Sequence, residues 1–172
     1  MHIRGRGSIP APYDPNWTTL YDHEAARIRE ILGTRVLLLE HVGSTSVPGL
    51  SAKPIIDIVL GLADTSDEAA YVPALEAAGY RLVLRERDWQ VHRLFHGPDT
   101  NVNLHVFPAG ADEIHRMLAF RDRLRTHPEE REAYAAEKHR LAGRTWAYTQ
   151  DYADAMGEIV ESIIGRAVAA EA

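Results

Sequence analysis

The chain has no cysteine among its 172 residues, which excludes disulfides, thiolate metal sites and cysteine nucleophiles. It also lacks any apolar run near the ~20 residues of a membrane-spanning helix. The segment Met1 to Pro12 is rich in Gly, Pro and Arg and has no apolar stretch. It reads as a flexible N-terminal arm and not as a signal peptide. The expected location is therefore cytoplasmic, with no membrane partner. Positive charge is short as well: 19 Lys and Arg face 25 Asp and Glu, for a formal net charge of -6. A nucleic-acid binder usually presents a basic face, so no nucleic-acid partner is expected. Lysine is the rarest charged residue, with only Lys53 and Lys138 in the chain. Internal repeats and low-complexity linkers are absent too.

What is present suits one folded domain over residues 13–172. Hydrophobic residues make up 45% of the chain, enough for a real core at this length. Asn16 to Leu32 predicts an amphipathic helix, with Trp17, Leu20, Tyr21, Ile28, Ile31 and Leu32 on one face and Gly33 past its end. Val36 to Val42 and Ile55 to Leu60 predict two strands. Thr65-Ser66-Asp67-Glu68 has the form of a capping box, which opens a second helix to about Ala78, with Pro73 marking a late start or kink. Tyr80 to Arg85, Trp89 to Phe95 and Asn101 to Phe107 predict three more strands. In the last of these Val102, Leu104 and Val106 face one way, and Asn103, His105 and Phe107 the other. Three helices follow. One carries Ile114, Met117, Leu118 and Leu124, one opens at Pro128, and one runs from about Gln150 to Val168. The pattern predicts an α+β domain with a mixed or mostly antiparallel sheet of about five strands and helices packed on it.

The most informative stretch runs from His41 to Leu60. It holds a strand end, the turn Gly43-Ser44-Thr45-Ser46, then Lys53 and a second strand with Asp57 in an apolar run. A carboxylate in such a strand needs a partner, because burying it alone is costly. Gly43 permits close backbone approach, and Ser44, Thr45 and Ser46 offer hydroxyls and N–H groups for phosphate. Lys53, one residue before Pro54 and that strand, would neutralise phosphate. His105 is either a proton carrier or metal ligand near Asp57 or a satisfied sheet residue. His41 either joins the site or buttresses the loop. Arg93 and Arg121 offer guanidinium groups for phosphate or carboxylate, or else salt-bridged surface. Glu137, Lys138 and Arg140 read as a charged helical surface.

Ordered segments along nearly the whole chain resemble the GrpB family, which also occurs as a C-terminal extension on some dephospho-CoA kinases. They are Tyr13-Asp14-Pro15-Asn16-Trp17, His41 to Leu50, Ala52 to Ile58, Asn103-Leu104-His105-Val106, Phe120 to Arg125, His127-Pro128, Tyr134-Ala135 and Lys138. The resemblance implies a nucleotidyltransferase-like fold. In that superfamily a Gly-Ser step precedes, by about a dozen residues, an acid-hydrophobic-acid strand. Here Ser44 and Asp57 have that spacing, but Val59 stands where the second acid is expected. A third carboxylate normally comes from a later strand, where this chain offers Asn103 and His105.

The expectation is a nucleotidyltransferase-like protein that binds a nucleotide or other phosphorylated small molecule and transfers a nucleotidyl group to a small acceptor. Gly43, Ser44, Thr45, Ser46, Lys53, Arg93 and Arg121 would hold phosphate. Asp57, His105 and Lys53 would be catalytic. Asp57 and His105 would hold a metal, Mg2+ first, with Mn2+ or Zn2+ as alternatives. The alternative is a binding or folding-assistance module that keeps the pocket without the chemistry, which Val59 favours.

Overall fold

The computed structural model describes residues 5–6, 9–99 and 101–172. Residues 1–4, 7 and 8 of the expected arm lie outside the described residues. Gly5–Arg6 (β1) pairs antiparallel with Thr145–Trp146 (β7). Ala11 and Ala52 exchange two backbone hydrogen bonds of 2.9 Å each. These two ties anchor the described part of the segment.

The main sheet has the five expected strands: β2 (Leu38–Val42), β3 (Ile56–Leu62), β4 (Arg81–Glu86), β5 (His92–His96) and β6 (Val102–Pro108). They lie in the order β2-β3-β6-β5-β4, and the sheet is mixed. Only β3 and β6 run parallel. A parallel pair needs a crossover, which the helix α2 (Val72–Ala77) and the β4–β5 hairpin supply. Side chains alternate across the sheet, so each face has its own partners. One face carries Ile56, Ile58, Leu60, Val102, Leu104, Val106 and Phe95 and packs on α1 (Asn16–Leu32) and α2. Ile58, Leu60 and Leu104 are fully buried there, each worth roughly 1.5–3 kcal/mol of transfer free energy. The other face carries Val42, Val59 and Phe107 and packs on Ile114 of α3 (Asp112–Thr126). Beyond it α3, α4 (Pro128–Ala142) and α5 (Thr149–Ala170) enclose a further core of Val47, Leu50, Phe120, Leu124, Tyr134 and Ile163.

The capping-box expectation differs from the structure. Glu68 does not fold back on Thr65, because its carboxylate is taken by Arg85 and Arg93 at 2.7 Å each. Thr65 is fully buried and donates to the Val91 carbonyl at 2.6 Å. A 3-10 turn spans Glu68–Ala70, and α2 starts at Val72 with Pro73 in its first turn. The expected strand from Trp89 begins instead at His92. Gln90 and Val91 have φ of 50° and 51°, outside extended backbone, so they form a turn.

Candidate functional site

The loop after β2, the start of β3 and the middle of β6 converge, as their spacing suggested. His105 Nε2 lies 3.4 Å from Asp57 Oδ1. Gly43 has φ 72°, and a Cβ built on it would fall 2.6 Å from Asp57 Oδ2. Only glycine lets the carboxylate lie against the loop, which is the physical reason for Gly at this step.

The hydroxyls after Gly43 divide by role. Ser46 Oγ donates to the Gly43 carbonyl at 2.5 Å and closes the turn. The Ser46 and Val47 N–H groups are also spent inside the turn, on Gly43 and Ser44 carbonyls. Thr45 is buried and its hydroxyl donates to the Ile55 carbonyl at 2.9 Å. It therefore accepts from His41 Nε2 at 3.0 Å, which places the His41 hydrogen on Nε2. Burial, with Arg125 nearby, pushes the His41 pKa down to about 4. Its ring stacks on Tyr21 at 4.8 Å, on the sheet face away from Asp57, so it supports the loop. Ser44 alone of the three hydroxyls reaches a lysine: Lys138 Nζ donates to its Oγ at 3.1 Å and to the Ser51 carbonyl at 3.1 Å. The hydroxyls of Thr45 and Ser46 are thus spent within the protein, and of the three only Ser44 Oγ lies beside the lysines.

Two cavities of about 250 Å3 each flank Asp57. The first is lined by Ser44, Thr45, Lys53, Asp57, Lys138 and Tyr152. It brings together the only two lysines of the chain. Lys138 is buried, and burial together with the charge of Lys53 lowers its pKa to about 8. Among the described residues no carboxylate counters that shift, and its two hydrogen-bond acceptors are neutral oxygens. The second cavity is lined by Val42, Asp57, His105, Glu113, Phe120 and Val160, among others. Burial raises the pKa of Glu113 there, against the opposing pull of Arg116.

Behind His105 the polar row continues. His105 Nδ1 lies 3.3 Å from His92 Nε2, and His92 Nδ1 lies 2.8 Å from Glu86 Oε1. Asp57, His105, His92 and Glu86 come from β3, β6, β5 and β4, four adjacent strands, all on one face. Trp89 and Phe107 pack on the His92 ring at 5.3 and 4.6 Å.

A GrpB family profile matches residues 10–166. The chain belongs to the GrpB family. It is 57% identical to a UPF0157 protein of Halalkalibacterium halodurans, over 90% of this chain and 80% of that one. The crystal structure of the conserved protein GrpB from Enterococcus faecalis superposes with a TM-score of 0.76 at 28% identity, covering 92% of this chain and 98% of that chain. A dephospho-CoA kinase of Mycolicibacterium paratuberculosis is 36% identical over 40% of this chain and only 18% of its own length.

In this GrpB chain two expected anion ligands lie elsewhere. Arg93 pairs across the sheet with Val106, one register position from His105, so its side chain points to the opposite face. There it is fully buried and bound to Glu68. Arg121 donates to Glu40 at 2.7 Å, to Asp122 at 2.9 Å and to the His41 carbonyl at 3.1 Å, and so latches α3 to β2. Val59 is fully buried against Val42, Phe107 and Ile114. Among the described residues no group of three His, Asp or Glu side chains is disposed to hold a metal ion. Asp57 and His105 offer one carboxylate and one imidazole, so a Mg2+ ion there would take the rest of its shell from water and substrate phosphate oxygens. The sequence reading missed Glu86, His92 and Glu113. It set Lys138 on a charged surface, although Tyr134, Lys138 and Leu141 share one buried helical stripe whose i, i+4 and i, i+7 spacing was readable. Among the described residues no helix is long and apolar enough to cross a membrane.

Proposed function

We propose that the protein binds the phosphate end of a nucleotide or other phosphorylated small molecule in the cavity between Lys53, Lys138 and Ser44. In the fullest form of this reading, Asp57 in its lining, with His105 beside Asp57 in the neighbouring cavity, serves transfer of a nucleotidyl group to a small acceptor. One observation carries the proposal. Lys138 is a buried cation whose neighbouring charge is another cation, Lys53. Burying such a charge uncompensated is costly, and an anion between the two ammonium groups removes the cost. Tyr152, whose ring lies 5.7 Å from Lys53 Nζ, offers a flat apolar surface beside the anion, suited to a base or other planar group. Asp57 stands where it can accept a hydrogen from an incoming hydroxyl or amine, with His105 next to it.

A second reading keeps the binding and drops the transfer. Val59 favours it, because its packed apolar surroundings leave no second carboxylate beside Asp57. Calorimetry with pyrophosphate and with ATP, each with and without Mg2+, tests both. The expected result is binding that Lys138→Met weakens at least about tenfold, the scale of one charge-assisted hydrogen bond. Absence of binding by any of these anions at millimolar concentration overturns the proposal. Binding without product formation from ATP and a panel of small acceptors leaves the binding module.

A further inference from the structure

The second cavity, on the far side of Asp57 from the lysines, is apolar over Val42, Phe120, Val160 and Ile164, and polar only at Asp57, His105 and Glu113. What these polar atoms ask of a ligand follows from counting hydrogens along the row Glu86, His92, His105, Asp57. With both imidazoles neutral, two ring hydrogens serve three contacts. The contact of 2.8 Å between His92 Nδ1 and Glu86 needs its hydrogen most. The His92 hydrogen therefore sits on Nδ1, and His92 Nε2 is an acceptor. The single His105 hydrogen has two claimants, His92 Nε2 across 3.3 Å and Asp57 Oδ1 across 3.4 Å; placed on Nδ1, it serves the shorter contact and leaves a lone pair on Nε2. That lone pair faces Asp57 Oδ1 at 3.4 Å, the longest contact of the row and the one left without a hydrogen. Burial lowers the His92 pKa from the ordinary imidazole value, which favours a neutral His92. The turn ahead of His92 is built to hold it. Val91, a β-branched residue, sits at φ 51° with its carbonyl latched by Thr65. Such strain persists only where its surroundings enforce it.

We propose that this cavity is a second subsite that takes a small amine with an apolar body, its ammonium group meeting Asp57 and His105 Nε2, with Glu86 and His92 as positioning residues that keep the hydrogen off His105 Nε2. The carboxylate of Asp57 selects a cation, whereas that of Glu113 is already paired with Arg116 at 3.1 Å, and the lining contains no Lys or Arg. As an acceptor for a group held over Lys53 and Lys138, the amine would rest on the anion reading above. Its recognition does not.

Two measurements decide it. Long-range proton–nitrogen NMR correlation at about pH 8, above the ordinary imidazole pKa, reads the tautomers. The expected wild-type state has the hydrogen on Nδ1 of both His92 and His105. Glu86→Leu and His92→Phe are expected to move the His105 hydrogen to Nε2. A wild-type His105 already protonated on Nε2 overturns the proposal. Calorimetry then compares butylamine, cyclohexylmethylamine and 2-phenylethylamine with the matched alcohols and carboxylic acids, on the wild type and both variants. At least one amine is expected to bind about tenfold or more tighter than its alcohol. Both variants should weaken it severalfold while leaving pyrophosphate binding unchanged. Alcohols binding as well as amines, or no amine binding at all, overturns the subsite. Pyrophosphate is scored on the same samples. Its failure alone overturns the anion reading and leaves the amine result standing.

Discussion

At the scale of single residues, the site rests on close approach. Gly43 and Asp57 are packed so tightly that Gly43→Ala must displace the carboxylate, since its Cβ would lie 2.6 Å from Oδ2. With φ at 72° the substitution is strained as well. The expected loss is about 1–3 kcal/mol in urea unfolding, with weakened ligand binding. A Gly43→Ala protein as stable as wild type would show that the loop and β3 are not locked together. Asp57→Asn separates in the other direction. The Asp57 side chain is 29% exposed and its polar side-chain neighbour, 3.4 Å away, is His105, not an arginine. No buried cation is stranded when its charge is removed, so stability should change by less than about 1 kcal/mol. Binding of a basic ligand beside it should be lost. A drop of several kcal/mol with binding retained would make Asp57 a structural residue.

At the scale of elements, the sheet sorts functional from structural polar residues by the parity of their positions. His105 and Arg93 lie on neighbouring strands, yet one faces the site and the other the far core. Glu68 serves that far core, and Arg85 and Arg93 hold its pKa down to about 2. Glu68→Ala strands the fully buried Arg93 and should cost about 3–5 kcal/mol. Arg85→Ala, with 46% of its side chain exposed, should cost less than about 1 kcal/mol. Neither should alter anion binding, and an effect on affinity without a stability change would reopen Arg93 as a ligand. The elements themselves were legible from the sequence. The α1 helix starts at Asn16 and ends at Leu32 as its apolar stripe and Gly33 required. The pairing of loop, Asp57 and His105 was legible because each sat at a strand end or on a clean alternation. Arg93 was not, because its face depends on a turn at Gln90 and Val91 that no local propensity announces. Glu86 and His92 were hidden for the same reason. The row they form exists only once four strands are placed side by side, and strand order is a tertiary property.

At the scale of the whole molecule, two buried bases make stability depend on pH in opposite parts of the range, and one of them bears on function. His41 falls from an ordinary 6.5 to about 4, so it stays neutral in the fold. The unfolded chain binds the proton first as pH falls, and stability is lost progressively from pH 6.5 down through 4. Lys138 falls from 10.5 to about 8. The unfolded chain again holds the proton longer, so stability rises with pH between about 8 and 10.5. Below that window the fold carries the full cost of the buried charge, on the order of 3 kcal/mol. That cost makes the cavity a place for an anion, and it separates stability from function in one substitution. Lys138→Met keeps the length of the side chain and removes the charge. At pH 7 the ligand-free variant should equal or exceed the wild type in melting temperature, with any gain shrinking as pH approaches 10.5. Pyrophosphate should stabilise the wild type and not the variant. Wild-type binding at about pH 8 should also take up protons, seen as binding heats that change with the ionisation enthalpy of the buffer, because an anion restores the charge on Lys138. A variant much less stable than wild type at pH 7, with no recovery at high pH, would mean that Ser44 and Ser51 already satisfy the ammonium group. The cavity would then have no electrostatic call for a phosphate.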